Sequence, residues 1–255
     1  MDLTLDTSVA SGYRTAPQTV RVVTEAWGAR NLYCPQCGNG SVKPFTNNRP
    51  VADYFCPACS AEYELKAGRR RNATRVVNGA YVTMIERVTS DRSPHLLVLT
   101  YAGSWVTDLE VVPKHFFTPH IIEKRQPLGP KARRAGWVGC NILVSRLPQI
   151  ARISIVSRGE IRPQLETVRQ FEEASRLDVG KPTTRGWLLD VWKIVEEITG
   201  NDQTFSIGDI YSRETELAAL WPGNNNVRPK IRQQLQILRD RGLVSFMGNG
   251  VYRRW

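Results

Sequence analysis

Four of the five cysteines form two Cys-x-x-Cys pairs, and this spacing constrains the fold more than any other feature of the chain. The first pair is Cys34 and Cys37, and the second pair, Cys56 and Cys59, follows after 18 intervening residues. Two such pairs supply four thiolates, which satisfy tetrahedral zinc and leave no coordination position open for water. We therefore predict a structural Zn²⁺ ion that fixes the segment between the pairs as a loop.

The remaining sequence features indicate a cytoplasmic protein. No apolar run approaches the roughly 18 to 20 residues that span a bilayer. The first ten residues lack the basic-then-apolar order of a signal peptide. In the cytosol, paired cysteines hold metal more often than they form disulfides. We expect a monomer, in which Cys140, remote from the two pairs, is an ordinary buried residue.

The charge of the chain favours a polyanionic partner, and nucleic acid is the usual one. The net charge is +11, and it is unevenly distributed. Between residues 223 and 255, seven basic side chains stand against one aspartate, which gives +6 (7 − 1) in the last 33 residues. A uniformly basic surface would not concentrate charge in this way.

Apolar periodicity divides the first part of the chain into alternating helical and extended segments. A helix is predicted to begin at Thr15-Ala16-Pro17, where a hydroxyl precedes proline. Further helices are predicted across residues 81–88 and 165–171, and strands at 51–56, 61–66, 96–101, 105–112 and 153–156. Because the two kinds of segment alternate, we predict a mixed α/β (α+β) sheet with helices packed against it.

The pattern changes after residues 180–184, which are predicted to form a linker. Helical stripes are predicted across residues 187–198, 207–221 and 227–240. Two short apolar segments around Gly248-Asn249-Gly250 then form a hairpin signature. Three helices and a basic hairpin predict a small winged helix-turn-helix domain. We therefore divide the chain into a zinc-stapled domain, residues 1–182, and a winged-helix DNA-binding domain, residues 183–255.

The third helix of that domain has the pattern of a recognition helix. At 100° per residue, Ile231, Leu235 and Leu238 fall on one side. The adjoining face carries hydrogen-bond donors, namely Arg228, Arg232, Gln236 and Arg239, with Gln233 at its edge. Glutamine can address adenine and arginine guanine in the major groove, and Arg253 and Arg254 are predicted to meet phosphates. A solvated helix face would explain any one residue, whereas the whole set beside a basic hairpin favours DNA.

Asp53, Glu64 and Lys66 form a candidate nuclease site next to the second cysteine pair. Side chains alternate along a strand, so Glu64 and Lys66 share one face and Leu65 points to the other. If Asp53 on the neighbouring strand faces the same way, two carboxylates converge on a point suited to Mg²⁺. Lys66 could then orient or deprotonate an attacking water. Alternating charges on an exposed strand are the competing interpretation.

The Asp-x10-Glu-Leu-Lys pattern is similar to that of the PD-(D/E)xK nucleases, and much of the chain resembles the DpnI-like family of methyladenine-dependent type IIM restriction endonucleases. The resemblance rests on six blocks: residues 47–53, 54–56, 64–66, 78–81, 132–142 and 231–240. It implies a PD-(D/E)xK core with an inserted four-cysteine zinc loop, followed by a winged helix. It also implies Mg²⁺-dependent cleavage of double-stranded DNA at GATC when the adenine carries an N6-methyl group, with both domains reading the methylated site.

The same resemblance implies roles for individual residues. Asp53 and Glu64 would be Mg²⁺ ligands, with the Leu65 carbonyl as a further ligand and Lys66 near the attacking water. Glu25 of the first helix is the candidate for an additional carboxylate.

A reader of N6-methyladenine needs an apolar wall, because the methyl group replaces one donor hydrogen with an apolar bump. Trp137 is the candidate wall in the first domain, and its neighbours Arg133, Arg134 and Asn141 are candidate DNA contacts. An indole buried in the core is the alternative. A second reading of the whole chain is a zinc-ribbon, winged-helix transcription regulator, in which the acidic residues are structural and no DNA is cut.

Overall fold

The computed structural model describes residues 1–46, 52–69, 74–90, 92–200 and 203–255, apart from the side chain of residue 183. Residues 47–51, which open one block of the family resemblance and one predicted strand, lie outside these ranges. In the described ranges the α-helices are α1 (Ala16–Asn31), α2 (Tyr81–Thr89), α3 (Gln164–Ser175), α4 (Pro182–Thr199), α5 (Ile207–Tyr211), α6 (Glu214–Leu220) and α7 (Val227–Asp240). The strands are β1 (Lys43–Pro44), β2 (Tyr54–Phe55), β3 (Glu62–Gly68), β4 (Val76–Ala80), β5 (His95–Ala102), β6 (Trp105–Val112), β7 (Ile122–Lys124), β8 (Gly139–Ile142), β9 (Ile153–Ser157), β10 (Glu160–Ile161), β11 (Thr204–Ser206), β12 (Val244–Gly248) and β13 (Val251–Arg254).

The chain folds into two compact units, and each is drawn from separated stretches. The first unit comprises residues 1–76, 92–114 and 150–174, and the second comprises 77–91, 115–149 and 175–255. The second unit therefore joins the winged-helix segment to two earlier stretches of the chain. The division of the sequence into domains at residue 182 stays a prediction.

A mixed sheet forms the centre of the first unit. Its described strands lie in the order β1-β2-β3-β5-β6-β9-β10, and the β3–β5 pair is parallel while the others are antiparallel. The buried run of β5 and the strand β6 match the strands predicted from their apolar residues. Helix α1 begins where the Thr15-Ala16-Pro17 signal placed it and packs against β3. This packing brings the helix beside the predicted nuclease strands.

The second unit contains the winged helix and a small sheet of order β4-β8-β7. In the wing, the order is β11-β13-β12. Asn249 and Gly250 both have positive φ, as the two central residues of a tight hairpin turn require. The mixed α/β fold with a C-terminal helix-turn-helix is thus as predicted. None of the described helices is long and apolar enough to cross a membrane.

Two sequence-based boundaries are wrong. The helix predicted over 207–221 is interrupted between α5 and α6. The Ser212 hydroxyl donates to the Asp209 carbonyl at 2.6 Å, a local bond that competes with helix continuation. The linker predicted at 180–184 is also shorter than expected, because α4 already begins at Pro182. Proline is favoured in a first helical turn, where its missing N–H has no intrahelical partner to lose.

Candidate active site and DNA interface

The four paired cysteines come together in one cluster in the first unit. The sulfur atoms of Cys34, Cys37, Cys56 and Cys59 all lie within 4.8 Å of one another. Sγ of Cys34 is 3.6 Å from that of Cys59, and the same distance separates Cys37 from Cys56. A tetrahedral zinc with bonds of about 2.3 Å separates its sulfur ligands by nearly 4 Å. The cluster therefore has the ligand type and the spacing to hold such an ion.

Each cysteine pair sits in the same kind of backbone turn. In the first turn, the Cys34 N–H donates to the Asn39 carbonyl and its own carbonyl accepts from Gly38, at 2.8 and 2.9 Å. The second repeats this geometry, with Cys56 bonded to Ala61 and Ser60 at the same two distances. Both Gly38 and Ser60 adopt positive φ. The two turns orient their sulfur atoms by local backbone bonds, which explains why spacing alone revealed the cluster.

Asp53 lies three residues before Cys56, where the chain enters β2. Its backbone N–H donates to the Tyr63 carbonyl at 2.8 Å, which joins it to β3. Its carboxylate accepts the Leu65 N–H at 2.6 Å. Burial raises the pKa of Asp53, the Leu65 N–H opposes the rise, and the nearby charge of Glu64 adds to it. The strand pairing and the side-chain bond together hold this carboxylate at the edge of β3.

Glu64 and Lys66 lie on one face of β3. The ammonium nitrogen of Lys66 is 2.6 Å from Oε1 of Glu64. Glu64 is buried, Lys66 is half-buried, and Leu65 between them is buried. The ion pair shows that a positive charge is favoured next to the Glu64 carboxylate.

The groups Glu25, Asp53, Leu65 and Lys66 line a cleft of about 580 Å³. Burial and the charge of Asp53 raise the pKa of Glu25, so these two carboxylates are close enough to repel. Arg21 and Arg69 also line the cleft, and sequence patterns gave no indication of either. Nε of Arg21 is 3.8 Å from Oε1 of Glu25, one helical turn away. Cations and carboxylates are thus interleaved around one opening.

Residues 125–139 form a second candidate site, a basic hairpin in the second unit. Its arms are joined by three backbone bonds: from Arg125 to Gly139 at 3.0 Å, from Leu128 to Trp137 at 2.9 Å, and from Gly136 to Leu128 at 2.9 Å. Trp137 lies against Gly139 so closely that a Cβ there would be 2.8 Å from two of its ring atoms. The guanidinium carbon of Arg134 is 4.8 Å from the Trp137 ring centroid.

Trp137 is therefore half-buried and fixed in place rather than enclosed in a core. Arg133 and Arg134 are both exposed at the end of the hairpin. Asn141 is placed differently, because it is buried and its Nδ2 donates to Oε2 of Glu123 at 2.6 Å. A DNA contact by Asn141, which stays a prediction, would require that bond to open.

Helix α7 divides into the two faces that its sequence predicts. Ile231, Leu235 and Leu238 are fully buried, whereas the five predicted donors are exposed. Several of these donors already have partners. Arg228 Nε is 2.7 Å from Glu214 Oε2, Arg239 pairs with Asp240 at 2.9 Å, and Gln233 accepts from Lys230 at 2.8 Å. These exposed pairs are weak and exchange readily for other partners.

A tyrosine from another helix, which sequence patterns did not single out, organises the start of α7. Arg232 Nε donates to the Tyr211 hydroxyl at 2.6 Å, and the Arg228 guanidinium lies 5.0 Å from the Tyr211 ring centroid. In the wing, Arg253 is exposed, while Arg254 donates to the Gly200 carbonyl at 3.3 Å. Tyr211 belongs to α5, so no periodicity within α7 could have revealed it.

A cleft lined by carboxylates and a lysine, on the same chain as a winged helix with a basic exposed face, is the arrangement expected of a DNA-binding protein of the nuclease class. The family comparisons are more specific. Residues 1–179 match the family model DpnI, described as the Dam-replacing family, and residues 183–254 match DpnI_C, described as the Dam-replacing HTH domain. The chain therefore belongs to the DpnI family of restriction endonucleases that carry a C-terminal helix-turn-helix domain.

Proposed function

We propose that this protein is a Mg²⁺-dependent type II restriction endonuclease that cleaves double-stranded DNA at GATC sites carrying N6-methyladenine. In this proposal the first unit contains a PD-(D/E)xK catalytic core, and both Trp137 and the winged helix read the methylated site. The observation that supports it most directly is the cleft lined by Glu25, Asp53 and Lys66, where Asp53 accepts the Leu65 N–H and Lys66 pairs with the buried Glu64 behind the lining. A transcription regulator has no use for this constellation.

The oxygen-rich donor set fits Mg²⁺, which prefers hard ligands and retains several waters. Asp53, Glu64 and the Leu65 carbonyl would hold the ion, and Glu25 is the candidate for a further carboxylate. When bound, Mg²⁺ supplies Lewis-acid stabilisation of the phosphate and lowers the pKa of bound water. Burial and then the charge of Glu64 raise the pKa of Asp53, and burial and then the charge of Asp53 raise the pKa of Glu25. A divalent cation would relieve this repulsion, so the site favours metal electrostatically.

The protein side chains have separate roles in this mechanism. The Leu65 N–H fixes the Asp53 carboxylate, which leaves its other oxygen for the cleft. Lys66 would hold the attacking water and balance charge at the phosphate once it moves away from Glu64. Arg21 and Arg69, at the same opening, would attract the DNA backbone.

The remaining elements would position and stabilise this chemistry. We propose that the cysteine cluster binds a structural Zn²⁺ ion, because four thiolates at this spacing match its ligand preference. That ion would fix the entry of Asp53 into β2. We further propose that the protein acts as a monomer in the cytoplasm, where it would meet methylated duplex DNA.

A cleavage experiment tests the proposal. Plasmid from an adenine-methylating host and from a non-methylating host should be incubated with the protein in Mg²⁺ or in chelator. Fragments are expected only from methylated plasmid with Mg²⁺. Equal fragmentation of unmethylated plasmid would refute methyl dependence, and no fragmentation of either would favour a regulator.

Asp53→Asn sharpens the test, because the amide oxygen can still accept the Leu65 N–H while the negative charge is lost. We expect cutting to fall at least about 100-fold with DNA binding retained, as removal of a key electrostatic group usually does. Asp108→Asn is the matched control. Asp108 accepts the Arg158 N–H at 3.2 Å on the same sheet but away from the cleft, so its substitution should leave cutting unchanged.

A further inference from the structure

The cysteine cluster has a hydrogen-bonding neighbour on β3 that sequence patterns did not single out. The hydroxyl oxygen of Tyr63 lies 3.0 Å from Sγ of Cys34. Each of these two residues is 0% exposed, so water does not compete for either group. The contact is therefore a buried bond between the cluster and the strand that carries Glu64 and Lys66.

The chemistry of a zinc site fixes the direction of this bond. Zinc binds cysteine as the thiolate, which has no hydrogen to donate. A tyrosine hydroxyl has an ordinary pKa of about 10 and keeps its hydrogen at neutral pH. In a zinc-bound cluster the Tyr63 hydroxyl therefore donates, and the sulfur of Cys34 accepts.

A donor at this position offsets the charge of the cluster. Four thiolates carry more negative charge than one Zn²⁺ ion neutralises. A buried charge is costly unless it is hydrogen-bonded, and Cys34 is completely buried. A hydrogen bond to an ionised acceptor is also stronger than one between neutral groups. The Tyr63 hydroxyl thus stabilises the metal-bound form of the cluster.

The sheet holds the Tyr63 ring in place. Tyr63 pairs with Tyr54 of β2 and with His95 of β5, and its ring centroid is 5.2 Å from that of His95. Nδ1 of His95 accepts the Lys114 N–H at 3.0 Å, so in the neutral ring Nε2 donates to Oε1 of Gln36, also at 3.0 Å. Gln36 lies between the cysteines of the first pair. Two neighbouring strands therefore bind the same cysteine turn, one through a phenol and one through an imidazole.

We propose that Tyr63 is a positioning residue of the zinc cluster, whose hydroxyl donates to the Cys34 thiolate and thereby strengthens zinc binding. Tyr63 directly precedes Glu64, and its backbone carbonyl accepts the Asp53 N–H at 2.8 Å. One residue therefore joins the cluster to both carboxylates of the proposed catalytic site. This inference rests on the proposed zinc site and is independent of DNA cleavage.

Competition for zinc between the full-length protein and a chelator tests the proposal. Tyr63→Phe removes the hydroxyl and leaves the ring. Tyr54→Phe is the matched control, because Tyr54 is also buried and is paired with Tyr63, but its hydroxyl donates to the Glu25 carbonyl and not to a cysteine. We expect Tyr63→Phe to weaken zinc binding by about 10- to 100-fold, as loss of a group that hydrogen-bonds a metal ligand usually does. Tyr54→Phe should leave zinc binding unchanged.

Cobalt substitution provides a readout that a general loss of stability would not change. The sulfur-to-metal charge-transfer band of thiolate-bound Co²⁺ depends on the energy of the sulfur electrons, which a hydrogen bond lowers. The band should therefore shift to longer wavelength in Tyr63→Phe and stay in place in Tyr54→Phe. Only metal-loaded molecules contribute to this band, so a smaller folded fraction would not imitate the shift.

The possible outcomes separate this inference from the proposed function. Unchanged zinc affinity of Tyr63→Phe, an equal loss in both variants, or a band that does not move would overturn the inference alone. Absence of zinc binding by the unsubstituted protein would refute the proposed zinc site as well. DNA cleavage enters neither measurement, so failure of the nuclease proposal would appear only in the plasmid assay.

Discussion

Helix α1 contacts Tyr54 of β2 very closely at Gly28. This contact predicts an unusual response to substitution of that glycine. Gly28 lies one turn after Glu25, and the Tyr54 hydroxyl donates to the Glu25 carbonyl at 2.8 Å. A Cβ at position 28 would lie 2.8 Å from Cζ of Tyr54, with the hydroxyl oxygen closer still. Ordinary contact begins near 3.4 Å, so Cζ alone would be 0.6 Å too close (3.4 − 2.8).

Two effects of Gly28→Ala oppose each other. Alanine in a helix interior is favoured over glycine by about 1 kcal/mol. Overpacking of a buried contact costs about 1–3 kcal/mol, and Tyr54 is only 1% exposed and cannot move outward. We expect the second effect to prevail, so that the free energy of unfolding falls by up to about 2 kcal/mol. Because α1 must move away from β2, Glu25 should also move relative to Asp53, and cutting should fall more than DNA binding.

A double-mutant cycle measured by urea unfolding tests the cause. Tyr54→Phe removes the closest clashing atom and one hydrogen bond, which is worth about 1 kcal/mol. In its presence, Gly28→Ala should be less destabilising by about 1 kcal/mol than in the unsubstituted protein. Gly208→Ala in α5 is the control, because its nearest neighbour would be an ordinary 3.4 Å away. Additive effects of the two substitutions, or stabilisation by Gly28→Ala, would refute the close contact between Gly28 of α1 and Tyr54.

Three further predictions concern the buried carboxyl of Asp190, the contacts of the buried Arg185, and the zinc proposed for the cysteine cluster. Burial raises the pKa of Asp190 from 3.8 to about 6. The folded protein therefore favours the protonated carboxyl, and the free energy of unfolding decreases as the pH rises between those values. Asp190→Asn keeps an acceptor for Trp221 Nε1 but cannot ionise. It should therefore raise the free energy of unfolding by up to about 3 kcal/mol above pH 6 and leave it unchanged below pH 3.8. Urea titrations at several pH values would measure this difference. The buried Arg185 pairs with Asp178 at 2.7 Å and donates to three backbone carbonyls. Arg185→Met should therefore lower the free energy of unfolding by about 3 kcal/mol. It should also speed proteolysis near residue 180. Cys37→Ser should reduce bound zinc from about one ion per chain and lower the thermal midpoint, as metal analysis and calorimetry would measure.

Each of these three predictions has a distinct contrary result. An Asp190→Asn effect of equal size at acidic and neutral pH would show that its origin is packing and not ionisation. If Arg185→Met left the free energy of unfolding unchanged, the packing around the start of α4 would not depend on the Arg185 guanidinium. Cys140→Ser is the control for the metal, because Cys140 is buried outside the cluster and donates to the Gly79 carbonyl. Loss of zinc from Cys140→Ser but not from Cys37→Ser would contradict the assigned ligand set.

Local patterns in the sequence sufficed for several elements of the fold. The strand predicted at residues 105–112 and the helix at 227–240 have the bounds that the structure shows. The cysteine turns were also predictable, since their geometry depends on backbone bonds within five residues. The break at Ser212 was not, because the apolar pattern continues through it, whereas the Ser212 hydroxyl bonds locally to the Asp209 carbonyl.

The candidate sites show the same division. Glu64 and Lys66 share a face because alternation along a strand is a property of the backbone itself. Whether Glu25 approaches Asp53 depends instead on how α1 packs on β2, which no nearby residue encodes. Asn141, predicted among DNA contacts, is buried against Glu123 by strand pairing between β7 and β8.

The sequence by itself therefore determined the four-cysteine cluster, the shared strand face of Glu64 and Lys66, and the apolar and polar sides of α7. These features arise from spacing over a few residues, where helix and strand periods apply. Only the tertiary structure decided the cleft shared with α1 and the fixed position of Trp137 against Gly139. Each of these depends on contacts between segments remote in sequence, and packing selects such contacts only when the whole core forms.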